Sequence, residues 1–140
     1  MRLRPLCCLI GFASLSACGK WEPRGQRDSP SGGEAAKVEV KLRGASSSNL
    51  TRISLDNARN GKLLSPGEVV SADGAIVDAT RISWASPDEL RVILCEARAY
   101  QVRARLLRDP VTRNDGSENA ISVEVENWRY SGTRKQCIPG

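Results

Sequence analysis

Five cysteines are the side chains best able to do covalent chemistry in this sequence, and there is no histidine to activate them. Lacking His, the chain lacks the commonest general base and the commonest transition-metal ligand. A Ser-His-Asp or Cys-His site cannot be built from this chain alone. Cys18 ends a run of small and apolar residues, Leu15-Ser16-Ala17-Cys18, where its thiolate could act as a nucleophile. Cys95 and Cys137 are too far apart for a C-x-x-C redox motif, and two soft ligands without His do not make a zinc site. In an oxidising compartment they are expected to form a disulfide, with two free thiols as the alternative. Closing a loop of about 40 residues would stabilise by roughly 4 kcal/mol through chain entropy. Cys7 and Cys8 are read as chance occupants of an apolar segment rather than palmitoylation sites.

The charged residues point to less. Asp73, Asp78, Asp88 and Glu89 match no calcium-loop spacing, and turn chemistry accounts for Asp73-Gly74 and Pro87-Asp88. Glu124 and Glu126 lie two apart on an alternating segment, so they share one face, read as solvated rather than as a catalytic acid pair. Arg98, Arg103, Arg105 and Arg108 are either a basic patch for an anionic envelope polymer or acidic partner, or the charge that protects an edge strand. Net charge is +5, or +3 without Arg2 and Arg4. No basic stripe alternates with aromatics, so nucleic acid is not an expected partner. No metal, cofactor or catalytic residue is expected.

At the N-terminus, Arg2 and Arg4 precede an apolar stretch of 12 residues over positions 6–17. A membrane-spanning helix needs about 20 such residues. The stretch instead fits the hydrophobic region of a signal peptide, with the basic end staying cytoplasmic. Leu15-Ser16-Ala17-Cys18 resembles the lipobox of bacterial lipoproteins at all four positions. The resemblance implies cleavage between Ala17 and Cys18, a diacylglyceryl thioether on the Cys18 sulfur, and acylation of the new amino group. Two or more acyl chains hold a protein stably on a bilayer. Gly19, in place of the Asp that resembles an inner-membrane retention signal, implies the outer membrane, facing the periplasm.

These residues set the expected organisation: a signal peptide over 1–17, the lipidated Cys18 and a flexible linker over 18–36, and a folded domain over 37–140. The linker expectation rests on a composition rich in Gly, Pro, Ser and charge. Trp21 within it is read either as seated at the lipid headgroups or as an exposed linker residue. From position 37 the pattern becomes period-two, as in 37–43, 52–56, 80–84 and most clearly 120–126. Turns are expected at Asn60-Gly61, Pro66-Gly67, Asp73-Gly74 and Asn114-Asp115-Gly116. Residues 87–108 admit two readings. Alternation over 100–106 and the β-branched Val92-Ile93 favour two strands joined to the preceding one by a turn at Pro87-Asp88. The capping-box form of Ser86-Pro87-Asp88-Glu89 leaves an amphipathic helix as the alternative, which would make the fold α+β.

The stretch from about Gly67 through Val125 resembles a loose group of small bacterial envelope lipoproteins that have no assigned function, the shared feature being Arg81-Ile82-Ser83-Trp84-Ala85-Ser86-Pro87-Asp88-Glu89-Leu90-Arg91-Val92. They pair an alternating strand ending in Trp with Ser-Pro-Asp and a second apolar strand. The resemblance covers less than half the chain. It implies a β-sandwich and carries no activity. The fold expected is therefore all-β, a small immunoglobulin-like sandwich of about seven strands. The first functional expectation is a lipid-anchored, non-enzymatic envelope protein whose partner is an envelope protein or anionic polymer. The alternative is a periplasmic inhibitor or immunity-type protein.

Overall fold

The structure, a computed structural model, describes residues 20–43, 49–76 and 79–140. The lipobox, Cys7, Cys8 and Asp78 lie outside them. Ten strands occur among the described residues: β1 Trp21–Asp28, β2 Glu34–Lys41, β3 Leu50–Asn57, β4 Gly67–Asp73, β5 Arg81–Ser86, β6 Glu89–Cys95, β7 Ala99–Val102, β8 Arg105–Thr112, β9 Glu118–Ser131 and β10 Gln136–Ile138. One sheet has the order β1-β2-β3-β4-β7, all neighbours antiparallel. The other has the order β10-β9-β6-β5, with β8 also paired to β9. Its β6–β9 pair is parallel, from Glu89 opposite Ser122 to Cys95 opposite Trp128.

Period-two patterning explains why these segments pair and which face they bury. Ala36, Val38 and Val40 of β2 are buried, as are Thr51, Ile53 and Leu55 of β3. The second sheet answers with Leu90, Val92 and Leu94 of β6 and Ile121 and Val123 of β9. Residues of both sheets form one cluster, against which Ile82, Trp84 and Val125 pack from the margins. Burying each Val, Leu or Ile contributes about 1.5–3 kcal/mol, so this shared core holds the sheets face to face. The all-β sandwich expected from the sequence is the fold observed, and ten strands replace the expected seven. What holds of the immunoglobulin-like expectation is the two-sheet sandwich. The helix over 87–108 is not formed: β6, β7 and β8 occupy that span, and Pro87-Asp88 turns the β5–β6 hairpin.

The expected linker is corrected. Residues 21–28 are a strand paired with β2 from Trp21 opposite Lys41 to Asp28 opposite Ala35, with a bulge between Pro23 and Gly25. Its side chains are mostly exposed, so backbone hydrogen bonds rather than apolar burial hold it. Proline is tolerated because β1 is an edge strand and Pro23 sits at the bulge. Trp21 is not a free linker residue. Its ring lies 4.1 Å from the Arg52 guanidinium on β3, which Glu39 of β2 holds at 2.8 Å.

The two ends of the sandwich differ in what gathers there. Lys41 pairs Trp21 and Leu50, and Leu50 pairs Asp73. The Asp73 carbonyl accepts from Arg98 N–H, Ile76 N–H donates to Cys95, and Glu96 N–H donates to Trp128. Trp21, Asp73, Cys95 and Trp128 therefore mark one end, from which the β9–β10 hairpin projects. The opposite end collects the 29–33 turn, the 58–62 loop, the Pro87-Asp88 turn and the 113–117 turn.

Candidate functional site

The most constrained polar cluster is at the end opposite Trp21, and its centre is Arg108. Alternation on β8 sends Leu106 into the core and brings Arg108, two positions on, to the same face. Arg108 is 9% exposed and Glu34 only 3%. Arg108 Nε donates to Glu34 Oε2 at 2.8 Å and Nη2 to Glu34 Oε1 at 3.2 Å, a bidentate clamp between the two sheets. Nη1 donates to Asp88 Oδ1 at 2.6 Å and to Asn119 Oδ1 at 3.3 Å, and Nη2 donates to the Pro87 carbonyl at 2.8 Å. All five guanidinium N–H donors thus have acceptors. Arg113 Nη2 completes the cluster on Asp88 Oδ2 at 2.7 Å.

Two arginines and two carboxylates leave the cluster neutral. Burial opposes ionisation of Asp88, but hydrogen bonds from Arg113 and Arg108, and then their charges, outweigh it and hold its carboxyl below the usual carboxylate range. Burial likewise opposes charge on Arg108, and the carboxylates of Glu34 and Asp88 reverse that, raising its affinity for the proton. An open cleft of about 320 Å³ lies over the cluster. Because its donors are already satisfied, Arg108 serves to lock β8 to β2, to the Pro87-Asp88 turn and to β9, and has no donor left for a ligand.

The larger cavity, about 520 Å³, runs along the flank where edge strands β1 and β5 approach each other. Trp84 Nε1 donates to the Arg27 carbonyl at 3.1 Å and ties the two edges. Val38, Ile82 and Ile93 give the groove an apolar floor, and Arg24, Arg27 and Arg81 a basic rim. Glu22 lies 3.4 Å from Arg24, and Arg27 Nη1 donates to the Gln26 carbonyl. The groove combines what an anionic ligand needs: fixed positive charge, apolar contact and two open sheet edges.

The other residues singled out by the sequence are dispersed. Arg98 and Arg43 reach Asp73, Arg103 donates to the Ser65 carbonyl at 2.7 Å, and Arg105 pairs with Glu118. The four arginines read together are therefore no single patch, and Arg108 is not a surface residue. Glu124 and Glu126 are exposed on β9, with Glu126 accepting from Trp128 Nε1 at 2.8 Å. Glu89 pairs with Arg91. Cys95 and Cys137 are joined as a disulfide with Cα atoms 6.1 Å apart, fixing the C-terminal strand to the end of β6. Ala17 and Cys18 fall outside the described residues. Among the described residues no group of three or more His, Cys, Asp or Glu side chains is placed to hold a metal.

These features define a class, a disulfide-bonded all-β sandwich with an internal ion-pair lock and a basic flank groove. No protein-family model, curated protein or solved structure gives a match to this chain.

Proposed function

We propose that the chain is a lipid-anchored protein of the bacterial cell envelope whose sandwich is a non-enzymatic binding module. The observation that carries the reading is the run Leu15-Ser16-Ala17-Cys18 directly ahead of a domain whose buried core, among the described residues, begins at Ala35. The Cys95–Cys137 disulfide supports export, since such bonds persist in oxidising compartments. Binding is assigned to the β1–β5 groove and an anionic partner, in keeping with the charge of Arg24, Arg27 and Arg81. The alternative of a periplasmic inhibitor keeps the anchor and changes only the partner.

Mass spectrometry of protein from its native host tests the anchor. The expected product starts at Cys18 with added acyl mass, and Cys18→Ser leaves the membrane fraction. An unprocessed Met1 terminus without acyl mass overturns it. Cosedimentation with peptidoglycan sacculi tests the groove for an anionic polymer. Binding that falls with salt and is lost in R24E/R27E/R81E supports it, and binding unchanged by that variant overturns the assignment.

A further inference from the structure

We infer that the Trp21 end of the sandwich rests on the anionic headgroups of the bilayer that holds the lipid, with the β9–β10 hairpin as its foot. The inference rests on lipidation at Cys18 and specifies the orientation that lipidation alone leaves open.

The first support is the length of chain. Strand β1 begins at Trp21, three residues after Cys18. Three residues reach at most about 10 Å. A flexible linker of 18 residues would let the domain tumble freely, whereas this short connection keeps the Trp21 end at the membrane surface. Strands β2, β3 and β8 are eight residues long, so the two ends of the sandwich stand about 25 Å apart, and the β9–β10 hairpin extends beyond one of them. Only one of them can be in contact.

The second support is what that end displays. Beyond Trp128, where β6 stops, β9 continues to Ser131 and turns through residues 132–135 into β10. The projecting hairpin carries Arg129, Tyr130, Arg134 and Lys135, all exposed. Arg129, Arg134 and Lys135 form no ion pair among the described residues, and neither does exposed Lys20 beside Trp21. Tyr130, 43% exposed, adds an amphipathic ring of the kind that settles at headgroup level. The disulfide through Cys137 fixes the hairpin base to β6, so the foot is held rigidly. Each basic residue near an anionic surface strengthens association about fivefold. Glu96, whose carboxylate accepts from Tyr130 N–H at 2.7 Å, offsets one of the four, and the remainder supplies about a hundredfold, enough to select one orientation of a tethered domain. At the opposite end Glu34 and Asp88 cancel Arg108 and Arg113, and exposed Arg59 and Lys62 stand among exposed Asp109 and Asp115, so that end carries little net positive charge.

The experiment places the lipidated protein on nanodiscs of phosphatidylethanolamine and phosphatidylglycerol doped with a headgroup spin-labelled lipid, and reads amide signals by NMR. Amides of residues 132–135 are expected to lose most of their intensity, while those of Gly61 and Gly116 keep theirs. R129E/R134E/K135E, at exposed positions without ion-pair partners among the described residues, is expected to lift the hairpin off the headgroups and restore much of the 132–135 intensity, while the protein stays on the discs. Equal loss at both ends, or greater loss at Gly61 and Gly116, overturns the docked orientation and leaves the anchor standing. So does a loss at residues 132–135 that the charge-reversal variant leaves undiminished. Protein that lacks acyl mass and elutes apart from the discs overturns the anchor, and the orientation with it.

Discussion

The two ends of this sandwich are closed by different physics. At the Arg108 end four charges and an Asn side chain fill the space between turns, and every donor of the central guanidinium is used. Close packing of backbone completes that end. A Cβ at Gly61 would strike the Gly33 carbonyl, and the Asn57 side chain holds Leu63 through both its N–H and its carbonyl. At the Trp21 end the ion pairs of Arg43 and Arg98 with Asp73 are exposed, a covalent bond takes the buried role, and the basic residues of the hairpin face outward. An ion-pair lock is sensitive to acid and to the loss of any one partner, because a buried charge is left uncompensated. A disulfide is indifferent to mild acid and sensitive to reductant. The difference separates a structural end from an end free to meet a surface.

The largest effect is expected from removing the centre of the lock. Arg108→Met leaves Glu34 buried beside no cation and Asp88 short of one, and should cost about 3–5 kcal/mol in urea unfolding. The double variant Glu34→Gln with Arg108→Met should be more stable than Arg108→Met alone, because the orphaned charge is gone. A double variant no better than the single one would show that the lock acts through packing rather than charge. At the other end, replacing Cys95 and Cys137 by Ala should cost about 4 kcal/mol through the reopened chain and lower Tm accordingly. The two perturbations lie at opposite ends, so their effects should add. Strong coupling between them would break the distinction drawn here.

Acid should separate the ends more gently. The folded-state pKa of Asp88 is depressed, so its contribution is fully present above the unfolded carboxylate value near about 4 and is lost as pH falls through the lower folded value. Stability should decline below about pH 4, and Asp88→Asn should flatten that part of the profile. Reductant at neutral pH should do the reverse, weakening the disulfide end and leaving the lock intact. A profile unaltered by Asp88→Asn would remove Asp88 from the lock.

Much of the fold was legible because its core strands alternate. Val38 and Val40, Ile53 and Leu55, and Ile121 and Val123 announce their buried faces two residues at a time. Strand β1 was not legible, because neither of its faces buries a row of apolar side chains and its pairing to β2 is written in backbone. The lock was hidden for a different reason. Glu34, Asp88 and Arg108 are far apart in sequence, and an arginine among arginines reads as surface. One local signal did exist: Arg108 is in phase with Leu106, so the alternation that buries the leucine also points the arginine inward. Reading parity through a charged residue, rather than stopping at it, would have flagged a buried cation in need of a carboxylate.

The smallest expected effect sharpens the contrast from the Trp21 side. Thr51, one residue from the Leu50 end of β3, is 1% exposed, and its hydroxyl has no hydrogen-bond partner among the described residues. An unmet buried hydroxyl costs about 1–3 kcal/mol, whereas its removal in a side chain of the same shape leaves the packing unchanged. Thr51→Val should therefore raise stability by about 1 kcal/mol, read as a higher urea midpoint with an unchanged m-value. The Arg108 end offers no such gain, since its buried polar groups already have partners and each substitution there only removes them. A destabilised Thr51→Val would mean that the hydroxyl is satisfied in the folded chain, and that the Trp21 end is as fully bonded as the lock.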